Sequence, residues 1–137
     1  MSRFQTVRLS PEPDAIAPDG CDVRILPSLA GGSMAHFELP AGQTSAAVAH
    51  RSVEELWFIL RGRGEMWRKQ GEREQVVPLA PQLCISLPVG THFQFRALGP
   101  EPLCAIAVTL PPWPGADEAL SVVGPWEPSP AVAGGPA

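Results

Sequence analysis

The chain has no CxxC spacing, no GxSxG elbow and no run of about 18 apolar residues that would cross a membrane. Its three cysteines, Cys21, Cys84 and Cys104, are odd in number and far apart. That argues against a disulfide framework or a zinc site, and predicts reduced thiols in a cytoplasmic protein. Without an elbow, no nucleophilic triad is in view, and the one GxG, Gly62 to Gly64, has no helix after it to cradle a phosphate. The N-terminus lacks the apolar stretch of a signal peptide, so a soluble chain with no membrane partner is expected. A basic surplus is missing too. The formal charge is −4 and the pI near 5.3, which speaks against nucleic acid, whose phosphates call for a basic face. Arg61, Arg63, Arg68, Lys69 and Arg73 do gather, but Glu65, Glu72 and Glu74 are interleaved with them. The stretch reads as a solvated hairpin, with an anion-binding patch as the alternative.

What is present points to strands. At 137 residues, 45% hydrophobic and 18% charged, the chain fits one folded domain with one core. Its 17 prolines and 13 glycines exceed what a helical bundle tolerates, because proline removes a backbone donor and glycine costs chain entropy inside a helix. No helical period persists for three turns. Residues 1–22, rich in proline and acidic groups with an apolar patch at Val7 to Leu9, read as an N-terminal arm able to pair along an edge of this domain or of a partner subunit. Residues 23–110 carry the expected strands: Val23 to Leu26 ended by Pro27, Met34 to Leu39, Ala46 to Arg51, Glu55 to Arg61, Glu65 to Lys69, Glu74 to Pro78, Leu83 to Leu87, His92 to Ala97, and Leu103 to Leu110, an apolar run suited to burial on both faces. Residues 111–137 form a proline-rich tail expected to pack on the barrel, with at most a short helical turn at Ala116 to Leu120. Trp113 and Trp126 would anchor it, or else form a ligand lid or a dimer contact.

The most organised stretch is His50 to Gly64, which sets a histidine and two carboxylates at the mouth of a strong strand and closes it with a tight turn. Gly42, His50, Glu55 and Gly62 stand at the spacings of a glycine–histidine–glutamate–glycine motif, with Val48 two residues before His50. Further on, Pro88, Val89 and Gly90 supply a Pro-x-Gly, preceded by Gln82 and followed by Phe93 and Ala97. Over residues 33–110 this order resembles the cupin superfamily, which implies an all-β, cupin-like double-stranded β-helix (jelly-roll) barrel. In metal-binding cupins the two motifs supply three histidines and a glutamate to a divalent transition metal, leaving open positions for substrate. Carried over residue by residue, His50 and Glu55 are the metal ligands, while Val48 and Phe93 stand where two histidines would be and Gln82 and Ala97 replace a glycine and an asparagine.

A third donor would have to come from His36 or His92. Alternation turns His92 outward unless a bulge after Gly90 reverses it, and His36 shares a face with Met34 and Glu38, opposite the apolar set Ala35, Phe37 and Leu39. Cys84 and Cys104 read as packing residues before ligands. With Glu55 inward, Trp57 and Ile59 follow it, Leu56, Phe58 and Leu60 meet another packing surface, and Glu54 faces solvent. The expected pocket is lined by Val48, His50, Ser52, Glu55, Trp57, Phe93 and Phe95, apolar and aromatic with a few convergent polar groups. The alternative is that these aromatics simply fill a small barrel. Two functional readings follow. Either the barrel binds a small apolar or aromatic molecule with no cofactor, or a divalent metal on His50 and Glu55 serves an oxygenase or isomerase of the cupin type. The expected partners are a small-molecule ligand and a second copy in a homodimer.

Overall fold

Glu54–Arg61 alternates buried and exposed residues over most of its length, and this period of two sets the plan of the fold. The computed structural model describes residues 3–130, and among them the strands run β1 Ala15–Ile16, β2 Asp22–Leu29, β3 Gly32–Leu39, β4 Val48–His50, β5 Glu54–Arg61, β6 Gly64–Gln70, β7 Arg73–Leu79, β8 Cys84–Leu87, β9 His92–Ala97, β10 Leu103–Leu110 and β11 Ala119–Ser121. A single 3₁₀ turn, Ala116–Glu118, precedes β11. The strands form two antiparallel sheets facing each other, without closing into a continuous barrel. One has the order β1-β2-β3-β10-β5-β8 and the other β11-β4-β9-β6-β7. No helix among the described residues is long and apolar enough to cross a membrane.

The inner faces meet in one core whose fully buried members include Leu39, Ile59, Met66, Leu79, Leu87, Phe93 and Phe95. Each such side chain contributes roughly 1.5–3 kcal/mol by leaving water. Gly62 closes the β5–β6 turn at φ +85°, and a Cβ there would run into the Pro102 carbonyl, so two constraints select glycine. Gln82, at the position where the resembling motif has glycine, also adopts a left-handed φ of +76°.

The structure departs from the sequence reading at several places. β2 does not end at Pro27 but runs through it to Leu29, because the β2–β3 register shifts between Ile25 and Ser28 and the proline falls in that irregularity. The arm's pairing strand is Ala15–Ile16, antiparallel to β2, whereas Val7 to Leu9 lies outside any strand. β10 is buried on its inner face, but Ile106, Val108 and Leu110 are half-buried on the other. Leu56, Phe58 and Leu60 meet no second packing surface among the described residues: they are exposed on the outer face of the six-stranded sheet. The tail adds an unexpected strand, β11, along β4. Trp126 anchors the tail through its backbone, whose N–H donates to Gln94 Oε1 at 3.1 Å and whose carbonyl accepts from Gln94 Nε2 at 2.8 Å. The Arg96 guanidinium lies 4.1 Å over its ring. In the arginine-containing hairpin, Arg96 pairs with Glu65 and Arg68 donates to Gln75 Oε1 and the Ser86 carbonyl.

Candidate functional site

β3, β5 and β10 run side by side in the centre of the six-stranded sheet, and their inner faces carry the small residues Ala35 and Ala107 directly opposite each other. Small side chains there leave room, and a cavity of about 270 Å³ opens between the sheets. Its walls include Val48 and His50 from β4 and Glu55 and Trp57 from β5. Asp19 before β2, Ser33 and Phe37 of β3, and Trp113 of the tail complete them, with Ile16 and Ile25 partly exposed at the rim. Trp113 is set in place by its backbone N–H, which donates to Ser33 Oγ at 2.9 Å, and Ser33 in turn shares a hydrogen bond with Thr109 Oγ1.

Of the residues expected to line a pocket, the structure brings Val48, His50, Glu55 and Trp57 to the cavity. Phe93 and Phe95 lie behind it in the core. Phe93 meets His50 edge-on at 5.3 Å between ring centres, and Phe95 meets Trp57 edge-on at 5.0 Å, so they hold those two rings without forming the wall. Ser52 turns away: it is exposed, and its Oγ and N–H both donate to Glu118, at 2.6 Å each. Alternation does not reach it, since the chain leaves β4 at His50 and re-enters β5 at Glu54, and the turn between them follows no strand face. His92, Gln94 and Arg96 face away from the core, with no bulge between β9 and its neighbours to reverse them. His36 sits on the outer face of its sheet beside Arg24 and Glu38. It is nevertheless buried, with Nδ1 unpartnered, and its pKa is lowered by burial and by the Arg24 charge.

Three contributors to the site were not among the expected pocket residues. Asp19 is buried in a loop and Trp113 stands after β10, and neither position carries a strand period. The third, Glu118, is a buried carboxylate whose Oε2 accepts the N–H groups of Ser52 at 2.6 Å and Val53 at 2.7 Å. It ties the 3₁₀ turn, and with it the strap carrying Trp113, Ala116 and Ala119, to the β4–β5 turn. The signal legible in retrospect is a carboxylate beside a short turn in an otherwise proline-rich, weakly charged tail.

The electrostatics favour neutral forms at the cavity. Burial, reinforced by the Asp19 charge, pushes the Glu55 carboxyl up to about 8, and the Trp57 indole, donating to Oε2 at 3.4 Å, offsets only part of this. Burial raises Asp19 also, against the Cys21 N–H that donates to its Oδ1. Burial lowers His50, with Glu118 opposing. His50 Nδ1 stands 3.7 Å from Glu55 Oε2, beyond hydrogen-bond reach, so the pair is a contact between neutral groups and not an ion pair. Glu118 behaves oppositely: burial pushes it up, but the Ser52 hydroxyl, the two N–H groups and His50 together hold it below its ordinary value. Cys104, raised by burial and by Glu38 to about 11, and Cys21, raised well up by burial, are thiols and not nucleophilic thiolates near neutrality.

The donor set does not fit the transition metal that the resemblance implies. Among the described residues no group of three or more His, Cys, Asp or Glu side chains could hold a metal ion. Val48 and Phe93 fill two ligand positions with hydrocarbon, and His36 and His92 face away from the cavity; Asp19 lines it but forms no metal-holding group with His50 and Glu55, which stay an incomplete pair.

A family model described as a cupin domain matches residues 35–109. No curated protein matches the chain. Solved structures of similar fold include an ectoine synthase from P. lautus, 18% identical over 90% of this chain and 94% of that one, with a TM-score of 0.67. A predicted oxalate decarboxylase from Thermotoga maritima is 20% identical over 77% of this chain and 98% of that one, TM-score 0.64. An uncharacterized conserved protein with a double-stranded beta-helix domain from Klebsiella pneumoniae is 17% identical over 90% of this chain and 100% of that one, TM-score 0.63. At these identities the likeness is one of fold.

Proposed function

The chain belongs to the cupin domain family, and from that premise we propose that it binds a small apolar or aromatic molecule in the cavity between its sheets, through a polar corner that works without a metal. The observation that carries this reading is the cavity of about 270 Å³, walled mostly by hydrocarbon and aromatic rings, in which the buried His50 and Glu55 face the space with little bonding to the protein. Apolar walls provide the binding energy and the few polar atoms fix orientation. A metal-dependent enzyme built on the same pair would need a third donor grouped with it; Asp19 lines the same cavity, but among the described residues no group of three His, Cys, Asp or Glu side chains could hold an ion. A cytoplasmic location belongs to the same reading, supported by three unpaired cysteines, of which Cys84 is exposed.

Calorimetric titration with 2-phenylethanol, a neutral aromatic probe, tests the proposal. Saturable binding near one molecule per chain is expected, and Ala35→Leu, which grows a side chain into the cavity from β3, should weaken it by about tenfold or more while leaving the melting temperature within a few degrees. Equal affinity in the variant would move the ligand elsewhere.

A homodimer is part of the proposal. It is supported by the apolar stripe on the outer face of the six-stranded sheet, where Leu56 is 53%, Phe58 42% and Leu60 45% exposed in one row, because contiguous exposed apolar patches mark interaction surfaces. Of the flanking charges, Arg24 pairs with Glu38 and Arg61 with Glu101 within the chain, which leaves Glu54 at the start of the stripe. Light scattering after size exclusion should give a dimer for the natural sequence and a monomer for Phe58→Lys; a monomer in both cases would remove the idea.

A further inference from the structure

We propose that the molecule this cavity takes is an organic ammonium, a protonated primary or secondary amine on a small apolar or aromatic body. The inference rests on the cavity being the ligand site, as argued above, and it names the ligand's charge. Four observations point the same way. No lysine or arginine lines the cavity, whereas two carboxyl groups do, Asp19 and Glu55. Both are buried, Asp19 8% and Glu55 4% exposed, so water supplies little of their solvation. Neither has a lysine or arginine partner among the described residues. The hydrogen bond from the Trp57 indole, at 3.4 Å, is the only one Glu55 receives among the described residues, and Asp19 accepts one from the Cys21 N–H at 3.1 Å. Among small and aliphatic residues, the walls also carry the aromatic rings of Trp57, Phe37, Trp113 and His50, with His50 and Trp113 5.2 Å apart at the ring centres.

Each class of ligand can be weighed against this lining. An anion would find no lysine or arginine in the cavity wall to receive it, and its charge would push the two buried carboxyls further toward their neutral forms with nothing gained in return. A neutral molecule gains the apolar contacts but leaves the carboxyl oxygens as they are. An ammonium gains the same contacts, gives Glu55 and Asp19 the counter-charge and N–H donors they lack, and places its positive charge against aromatic rings. The rim residues Ile16 and Ile25 carry no charge, so the selection is made inside the cavity.

Three probes of nearly equal shape separate the outcomes: 2-phenylethylamine, which is cationic near neutral pH, neutral 2-phenylethanol and anionic 3-phenylpropionate, each titrated calorimetrically into the full chain. The amine is expected to bind about tenfold tighter than the alcohol and at least about a hundredfold tighter than the carboxylate. Glu55→Gln, which keeps the shape of the side chain, should cut the amine's advantage over the alcohol, both measured in the variant, to less than about threefold. Asp19→Asn should reduce it in the same direction. Binding of the alcohol with the carboxylate equal to or tighter than the amine would overturn the inference and leave the cavity reading intact. Failure of all three probes to bind would overturn both, and an amine advantage undiminished in Glu55→Gln and Asp19→Asn would show that the cation is held elsewhere.

Discussion

Glu55→Gln should stabilise the protein in mildly alkaline solution and leave it nearly unchanged in acid. The native carboxyl titrates at about 8 instead of its ordinary 4.5, because it is buried and faces the Asp19 charge. The unfolded chain therefore releases this proton from about pH 4.5 upward while the native state holds it. Within that window each pH unit lowers native stability by about 1.4 kcal/mol, and the loss levels off once the native group ionises near 8. The full difference approaches roughly 4–5 kcal/mol, a large share of the 5–15 kcal/mol typical of a domain. Glutamine has the shape of the protonated acid and nothing to titrate, so urea denaturation should give coincident curves near pH 4.5 and an increasingly more stable variant toward pH 8. Asp19, also raised by burial, contributes a loss of the same sign that the variant retains. Two groups act from the acid side. His50, lowered by burial, stays neutral in the native state below its ordinary 6.5, so its contribution is lost as pH falls from there. Glu118, held below 4.5, contributes stability that is present above that value and lost as pH falls through its native pKa. Parallel profiles for natural and variant chains would mean that Glu55 is solvated and that the cavity is open to water.

The second large effect is expected at Glu118, outside the cavity. Its carboxylate receives three hydrogen bonds, from the Ser52 and Val53 N–H groups and the Ser52 hydroxyl, all between 2.6 and 2.7 Å. Bonds to a charged acceptor are worth about 1.5–3 kcal/mol each, and the Val53 N–H is buried with no alternative partner among the described residues. Glu118→Ala should therefore destabilise the chain by about 3 kcal/mol, more than any typical surface substitution. Because β11 lies along β4 with Ala119 opposite His50, release of the turn also loosens the wall that carries Trp113 and Ala116. Affinity for 2-phenylethanol should fall about tenfold in parallel. Glu118→Gln, which keeps one carbonyl acceptor, should lose about half as much stability. A substitution tolerated within about 0.5 kcal/mol would show that the strap is held by its backbone pairing alone.

These two carboxylates mark where sequence reasoning reaches and where it stops. Glu55 was legible: it lies on a strand, so the burial of Trp57 and Ile59 fixes its direction, and the same period of two turns Phe93 and Phe95 to the core and His92 to the outside. The two-sheet architecture was legible for a related reason, since glycines at turns, Pro-x-Gly and alternating runs recur at strand spacing. Ser52 lies where strand alternation stops. Counting by twos from His50 puts it in the pocket, but the count does not survive the irregular turn between β4 and β5, and its hydroxyl goes to Glu118. Asp19, Trp113 and Glu118 lie in loops or a single 3₁₀ turn, where no period relates a side chain to a face. Their roles come from contacts such as the 66-residue separation between Ser52 and Glu118. The metal pair reads as incomplete for a local reason, Val48 and Phe93 being hydrocarbon. Which residues face His50 in place of those ligands is a property of the strap, and only the folded chain displays it.

The ligand site can be read directly from the four tryptophans, because two of them, Trp57 and Trp113, line the cavity, whereas Trp67 donates its indole N–H to Glu74 and Trp126 stacks under Arg96 beyond the five-stranded sheet. Their indole N–H resonances, followed by nuclear magnetic resonance while 2-phenylethanol is added, give one signal per position. The account predicts that the Trp57 and Trp113 signals move together along a saturating curve while those of Trp67 and Trp126 stay in place. Movement of Trp67 or Trp126 with Trp57 and Trp113 unchanged would contradict it.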